Sequence, residues 1–262
     1  MITNYFRPET LEAALALLAQ PDTRPLGGGT WLNQPQQEDF AVVDLQALGL
    51  NQIHKAGNNL EIDACVTLQQ LIESADCPAA LTQAIKLESA LNIRNAATVA
   101  GALVTCDGRS PFATAMLALD VHLTVEHGPQ VKDGQSSTVH GLVEYLTVPP
   151  KGLITKLTIP LNTRLAFESV ARSPMDRPIV CAAVAQWSAG RTRLALGGYG
   201  QSPLLAMDGV EPGGIDAAIN SAQAAAKNAF HEAGDEWASA EYRADVAATL
   251  AKRCLEANRQ EG

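Results

Sequence analysis

The chain is short of positive charge. Lys and Arg number 19 against 28 Asp and Glu, so the formal net charge is −9 and the isoelectric point lies near 5. A chain of that sign has no basic face broad enough to hold nucleic acid or an anionic membrane surface. The five cysteines, Cys65, Cys77, Cys106, Cys181 and Cys254, are odd in number and widely separated, with no C-x-x-C pair. That spacing excludes a readable disulfide framework, zinc site or iron–sulfur site and predicts reduced thiols. His54, His122, His127, His140 and His231 also lack ligand spacing, so each is expected to be structural or solvated and no metal site is assigned. No apolar run approaches membrane-spanning length, and the opening MITNYFRPETLEAALALL lacks a basic segment followed by an apolar run and a cleavage site. The expectation is a cytoplasmic protein without membrane insertion. There is no low-complexity segment and no internal repeat.

What is present is enough apolar sequence, 47% of 262 residues, to bury a sizeable core. Leu11, Ala14, Leu15 and Leu18 recur at helical spacing after Thr10, and Pro21-Asp22 ends the pattern. Ala41–Asp44 reads as a short buried strand and Leu60–Asp63 as a strand with one wet face. Thr67 is placed to cap a helix through Leu71, and Ala79–Leu87 continues in helical register behind Pro78. Phe112–Leu119 is an apolar helix pattern. His122–Glu126 and Leu153–Ile159 alternate as strands, with a polar surface loop expected over Gly128–Thr138. Beyond Pro160 the texture changes to three consecutive strands, Leu165–Ala171, Ile179–Trp187 and Thr192–Leu196. Two alanine-rich helices follow, about Ile215–Ala229 and Ala240–Ala257, the second capped by Ser239. Interleaved strands and helices followed by segregated ones predict an α+β chain with a boundary near Pro160.

Two stretches of small residues stand out. In Pro25-Leu26-Gly27-Gly28-Gly29-Thr30-Trp31, successive glycines after a strand can turn main-chain N–H groups toward a phosphate, with the Thr30 hydroxyl beside them. In Thr98-Val99-Ala100-Gly101-Ala102, preceded by Arg94 and Asn95, missing side-chain bulk allows a bulky ligand close to the backbone. The first is neither G-x-G-x-x-G nor a Walker loop, which disfavours Rossmann-type nicotinamide binding and P-loop phosphoryl transfer. Each stretch has a plainer reading as a tight turn or a close-packed backbone. Together they point to one large anionic cofactor held by main chain.

Four segments in order carry a resemblance: the glycine loop, I-R-N-x-A-T-V-A-G at 93–101, RSPMDRPIVCAAV at 172–184 and GDEWASAEYRADVAATLAKRCLE at 234–256. The chain resembles, end to end, the FAD-binding medium subunit of the molybdenum hydroxylases, the family of xanthine dehydrogenase and carbon monoxide dehydrogenase. It looks most like the short subunits of xanthine dehydrogenase or selenate-reductase type. The resemblance implies a two-part FAD-binding domain of the vanillyl-alcohol-oxidase (PCMH-like) type over 1–160, with parts 1–56 and 57–160. A C-terminal domain with a small three-stranded sheet and helices is implied over 161–262. It carries a role at the FAD pyrophosphate onto Leu26, Gly27, Gly28, Gly29, Thr30 and Trp31, and the family's second glycine segment onto Thr98, Val99, Ala100, Gly101 and Ala102. It implies an oxidoreductase subunit, inactive alone, that takes electrons from a partner's iron–sulfur clusters and gives them to NAD or another acceptor. An iron–sulfur small subunit and a molybdopterin-binding large subunit are the implied partners, and no side chain here is implied as a catalytic acid or base.

Three positions depart from the family pattern. Ala102 replaces an Asn, Pro111 an Asp that follows Ser110, and Glu168 a basic residue after Phe167. Three lost contacts at about 1–3 kcal/mol each, if buried, weaken FAD binding by several orders of magnitude. They favour a rival reading, a flavin-free scaffold or assembly subunit. A further rival is an independent FAD oxidase or reductase.

Overall fold

The computed structural model describes residues 1–128, 136–174 and 176–260, so most of the loop expected over Gly128–Thr138 lies outside the described residues. In chain order the elements begin with β1 (Ile2–Phe6), α1 (Leu11–Leu18), β2 (Thr23–Leu26), β3 (Phe40–Asp44), β4 (Ile53–Ala56) and β5 (Asn59–Asp63). Five helices follow: α2 (Leu68–Glu73), α3 (Ala79–Glu88), α4 (Leu91–Arg94), α5 (Val99–Val104) and α6 (Pro111–Ala118). Then come β6 (His122–Glu126), β7 (Ser137–Gly141), α7 (Leu142–Thr147), β8 (Leu153–Pro160), β9 (Thr163–Val170), β10 (Val180–Trp187), β11 (Arg191–Gly197) and β12 (Leu204–Val210). The chain ends with α8 (Gly214–Ala229) and α9 (Ala240–Gln260).

These elements form two compact units, one of residues 1–75, 91–105 and 122–158, the other of residues 76–90, 106–121 and 159–262. The second unit therefore draws two segments from the first 160 residues.

The first unit contains two sheets. β1 and β2 flank β3 in parallel, and α1 packs its buried Ala14 toward Val43, Leu45 and Leu153. The second sheet has the order β4-β5-β8-β6-β7, with the β4–β5, β6–β7 and β6–β8 pairs antiparallel. Alternation does the sorting: on β6 Leu123 and Val125 are buried while His122 is exposed. Thr67 starts α2 with a complete capping box, its hydroxyl accepting from the Gln70 N–H while the Gln70 side chain accepts from the Thr67 N–H.

The second unit is built on an antiparallel sheet of order β12-β11-β10-β9. Four strands are present where three were expected. β12 was missed because Asp208 and Gly209 break its apolar pattern; Asp208 is held instead by Arg191 and Arg193 of the neighbouring strand, at 2.8 and 2.6 Å. Strand β10 is buried on both faces. Val180, Ala182 and Val184 join the core formed with α8 and α9, while the Cys181 thiol, on the other face, lies 3.6 Å from the Thr114 hydroxyl of α6. This explains why residues 179–185 are apolar without alternation. Helix α6 is likewise buried at every position from Pro111 to Ala118, as expected of a helix apolar all round. On α8, Ala218, Ala222 and Ala226 make a stripe of small residues that lets the helix sit close in the core. No helix among the described residues is long and apolar enough to cross a membrane.

Candidate functional site

The first unit brings the two small-residue stretches together. Leu26 closes β2, its carbonyl accepting from the Leu45 N–H at 3.0 Å, and the chain then turns through Gly27, Gly28 and Gly29. A Cβ on Gly27 would sit 3.0 Å from the Thr98 hydroxyl, and one on Gly28 only 1.6 Å from the Ala96 carbonyl oxygen. Gly29 has φ +68°, a left-handed conformation that a side chain would strain. The next turn is closed by the Asn33 N–H donating to the Gly29 carbonyl at 3.0 Å. Arg24, stacked 4.3 Å over the Phe40 ring, donates to Gln36 at 3.1 Å, and Gln36 donates to the Trp31 carbonyl at 3.3 Å. Trp31 itself is exposed.

The second stretch is a short helix, which the expectation of an open small-residue segment did not include. Thr98 is the N-cap of α5, accepting from the Gly101 N–H at 3.1 Å. The strip before it is stitched to residues 64–68. Leu68 N–H donates to the Ala97 carbonyl at 2.9 Å, Val99 N–H to Val66 at 2.8 Å, and Ala100 N–H to Ala64 at 3.3 Å. Ala102 N–H donates to the Thr98 carbonyl at 2.9 Å. The amides of Val99, Ala100, Gly101 and Ala102 are thus all engaged within the protein, and α5 offers a ligand its bare surface rather than donors. Gly101 is exposed, and a Cβ there would meet only the Thr98 hydroxyl, at 2.8 Å. The glycine loop is different. Among the described residues, the N–H groups of Gly27, Gly28, Gly29 and Thr30 donate to no protein acceptor. A row of unpaired amides beside an uncluttered helix surface fits an anionic diphosphate.

Of the flanking donors, Arg94 reaches back to Gln69 at 3.2 Å and Asn95 is exposed. Nucleophilic chemistry is not prepared here. All five thiols are free, and burial pushes Cys65 up to about 11 and Cys106 and Cys181 up to about 12, so none is held as a thiolate.

Comparison with known proteins is decisive. The family described as the FAD binding domain in molybdopterin dehydrogenase matches residues 1–162, and the CO dehydrogenase flavoprotein C-terminal domain matches residues 165–257. The chain belongs to this flavoprotein family. It is similar to the uncharacterized protein YgfM of Escherichia coli K12, with 29% identity over 95% of this chain and 94% of that one. It is also similar to the carbon monoxide dehydrogenase medium chain of Afipia carboxidovorans, with 27% identity over 97% and 95%. The carbon monoxide dehydrogenase of Hydrogenophaga pseudoflava has the same fold, with TM-score 0.79 and 23% identity over 99% of this chain and 98% of that one. The protein is therefore an oxidoreductase component of the molybdenum hydroxylase family with FAD as its cofactor.

The structure gives two of the three family departures a local reason. Pro111 occupies the first turn of α6, where a missing N–H costs nothing. Ser110 is the N-cap, and its hydroxyl donates to the half-buried Glu88 carboxylate at 2.7 Å while accepting from the Ala113 N–H at 3.1 Å. The carboxylate missing at position 111 is thus matched by one from α3, spent on the helix start. Glu88, which the sequence reading passed over, also accepts from the Phe112 N–H at 3.0 Å. Ala102 lies half-buried on α5, where a small side chain keeps the helix surface low. Glu168 sits in mid-strand on β9 opposite Ala182, and nothing in the structure explains its charge.

Proposed function

We propose that this protein is the FAD-carrying electron-transfer subunit of a multi-subunit molybdenum hydroxylase. Electrons would reach it from the iron–sulfur clusters of a small subunit, themselves fed by a molybdopterin-binding large subunit, and leave to NAD or another acceptor. The reading places the complex in the cytoplasm. The observation that carries it is the row of unpaired amides at Gly27, Gly28, Gly29 and Thr30 beside Thr98 and Gly101. In this reading the loop from Leu26 to Trp31 donates to the FAD diphosphate, and the surface of Thr98, Val99, Ala100, Gly101 and Ala102 lets the cofactor approach. When bound, FAD supplies the capacity to take electrons singly and give them up as a pair. The protein contributes position: Thr98 holds both stretches in register, because its hydroxyl caps α5 and packs against Gly27. No cysteine set for a cluster exists in this chain, which is why the clusters are assigned to a partner.

The test is co-purification with the products of neighbouring reading frames, followed by a visible spectrum. Flavin absorbance that tracks this chain, with turnover only in the heteromeric complex, is the expected result. A colourless chain that takes up no flavin from excess FAD overturns the assignment.

A further inference from the structure

The glycine loop is held unevenly along its length. Gly27 and Gly28 lie against Thr98 and Ala96, which leave little or no room for a Cβ, and Leu26 before them is fixed to β3 through the Leu45 N–H. The stretch Gly29-Thr30-Trp31 has no such wall. A Cβ on Gly29 would meet only the ends of the Leu26 and Asn33 side chains, at 3.2 and 3.8 Å, and Trp31 and residues 33–35 are exposed. Yet Gly29 and Thr30 carry two of the four unpaired amides. An anion gains most from donors that already point at it, and a glycine gives up more backbone freedom on ordering than any other residue.

One side chain closes the far end of this stretch. Gln36 Nε2 lies 3.3 Å from the Trp31 carbonyl oxygen and 3.2 Å from that of Gln34, so each of its two hydrogens has an acceptor. Gln36 Oε1 accepts from Arg24 Nη1 at 3.1 Å. The neighbours fix the amide's orientation, because turning it over would set its oxygen against two carbonyls and its NH2 against a guanidinium. Arg24 is anchored on β2, with its guanidinium 4.3 Å from the centre of the buried Phe40 ring. Its 3.4 Å contact with Glu38 adds little, since that carboxylate is 75% exposed. The backbone bonds of the turn, Asn33 N–H to Gly29 at 3.0 Å and Gln34 N–H to Trp31 at 3.1 Å, move with it. The Arg24–Gln36 bond instead joins the turn to the sheet, closing residues 24–31 into a ring that leaves the strand and returns to it.

We infer that Arg24 and Gln36 are positioning residues for the flavin diphosphate. Through the Trp31 carbonyl they set the direction of the Gly29 and Thr30 amides, while Thr98 and Ala96 set those of Gly27 and Gly28. The inference rests on the reading of this loop as the diphosphate site, and adds to it the two side chains that make its outer half ready before the cofactor arrives.

Gln36→Met keeps the length of the side chain and adds no charge. In the full-length apoprotein, NMR relaxation should show the wild-type Gly29 and Thr30 amides as rigid as the sheet, with order parameters of about 0.85. The variant should drop them below about 0.6 while Gly27 and Gly28 stay rigid. The urea midpoint should not move, because the bonds lost are at the surface. FAD affinity, read by flavin fluorescence titration, should fall about five- to tenfold, and in an Arg24→Met background the same substitution should cost almost nothing more. Unchanged order parameters at Gly29 and Thr30 overturn the inference, as does a loss of affinity that adds fully to that of Arg24→Met. A fall in affinity that tracks a fall in urea midpoint assigns Gln36 to the fold and overturns it equally. A wild-type chain that takes up no FAD removes the flavin reading instead, and the amide dynamics still decide for or against Gln36.

Discussion

Gly28 runs so close to Ala96 that a methyl group on its α-carbon would lie 1.6 Å from the Ala96 carbonyl oxygen. The glycine is required by the protein's own backbone, whether or not a ligand is bound. Gly101 is the opposite case, with open space around it except for the Thr98 hydroxyl at 2.8 Å.

Gly28→Ala and Gly101→Ala should therefore separate folding from flavin binding. The first forces two backbone strands apart and should cost about 1–3 kcal/mol in urea unfolding, with loss of bound flavin. The second gains about 1 kcal/mol of helix propensity against the displacement of one hydroxyl, so its stability should stay within about 1 kcal/mol of the wild type. Its flavin absorbance per protein should nevertheless fall, because the added methyl stands on the approach surface. Equal stability losses in the two variants would contradict this assignment of the glycines.

Thr98 joins the two stretches through one hydroxyl. Thr98→Val keeps the shape but removes the acceptor for the Gly101 N–H, and should cost about 1 kcal/mol in denaturant unfolding. Flavin affinity, read by titration of the apoprotein, should drop with it. Thr98→Ser restores the cap and should recover both. Recovery of stability without recovery of flavin would assign the Thr98 methyl, packed toward Gly27, the larger share.

Regular periodicity made much of this fold readable from residues. Leu11–Leu18 was found because its apolar spacing and Thr10 cap agree, and β6, β8, β9 and β10 because their strand patterns are long. α5 was not, since Val-Ala-Gly-Ala-Leu-Val has no amphipathic period; the one local clue was Thr98 three residues before Gly101. β7 was not read because Ser137–Gly141 lacks apolar alternation and is ordered by its ladder with β6, and α7 because it is only six residues long with a single buried anchor, Leu142. At the flavin site the sequence shows which residues are small, but not why. Gly28 is small because Ala96 lies against it, and the amides of Val99 and Ala100 are already taken by Val66 and Ala64. Such pairings join segments some thirty or more residues apart, and local pattern carries no trace of them.

Arg243 is fully buried in the second unit, with Nη1 donating to the carbonyls of Ile179 and Gly198 and Nη2 to Asp235. It ties α9 to β10 and to the turn after β11. Arg243→Met should cost about 2–4 kcal/mol in urea unfolding, because it leaves the two buried carbonyls of Ile179 and Gly198 without a donor. Arg243→Lys should recover only a fraction, since one ammonium cannot reach all three acceptors. Arg243 is shielded from solvent while Asp235 is exposed, so added salt should weaken the part of the loss that comes from the ion pair and leave the part that comes from the two carbonyls. A loss below about 1 kcal/mol would reassign Arg243 to a surface-like role.

Glu88 gives the second unit a pH dependence of definite sign. Burial pushes its carboxyl above the ordinary range, and the donors Ser110 and Phe112 only partly oppose that. The folded state then binds a proton more readily than the unfolded chain, so stability is fullest below the ordinary carboxyl range. It falls as pH rises from there toward the elevated folded value, and levels off above it. Glu88→Gln removes the titration while keeping one acceptor for the Phe112 N–H. Measured as urea midpoints from about pH 4 to about pH 8, the Gln variant should gain on the wild type as pH rises and then hold a constant lead or deficit. A difference that moves the other way would mean that the start of α6 stabilises the Glu88 carboxylate more than burial penalises it, and that Glu88 is ionised in the folded state throughout.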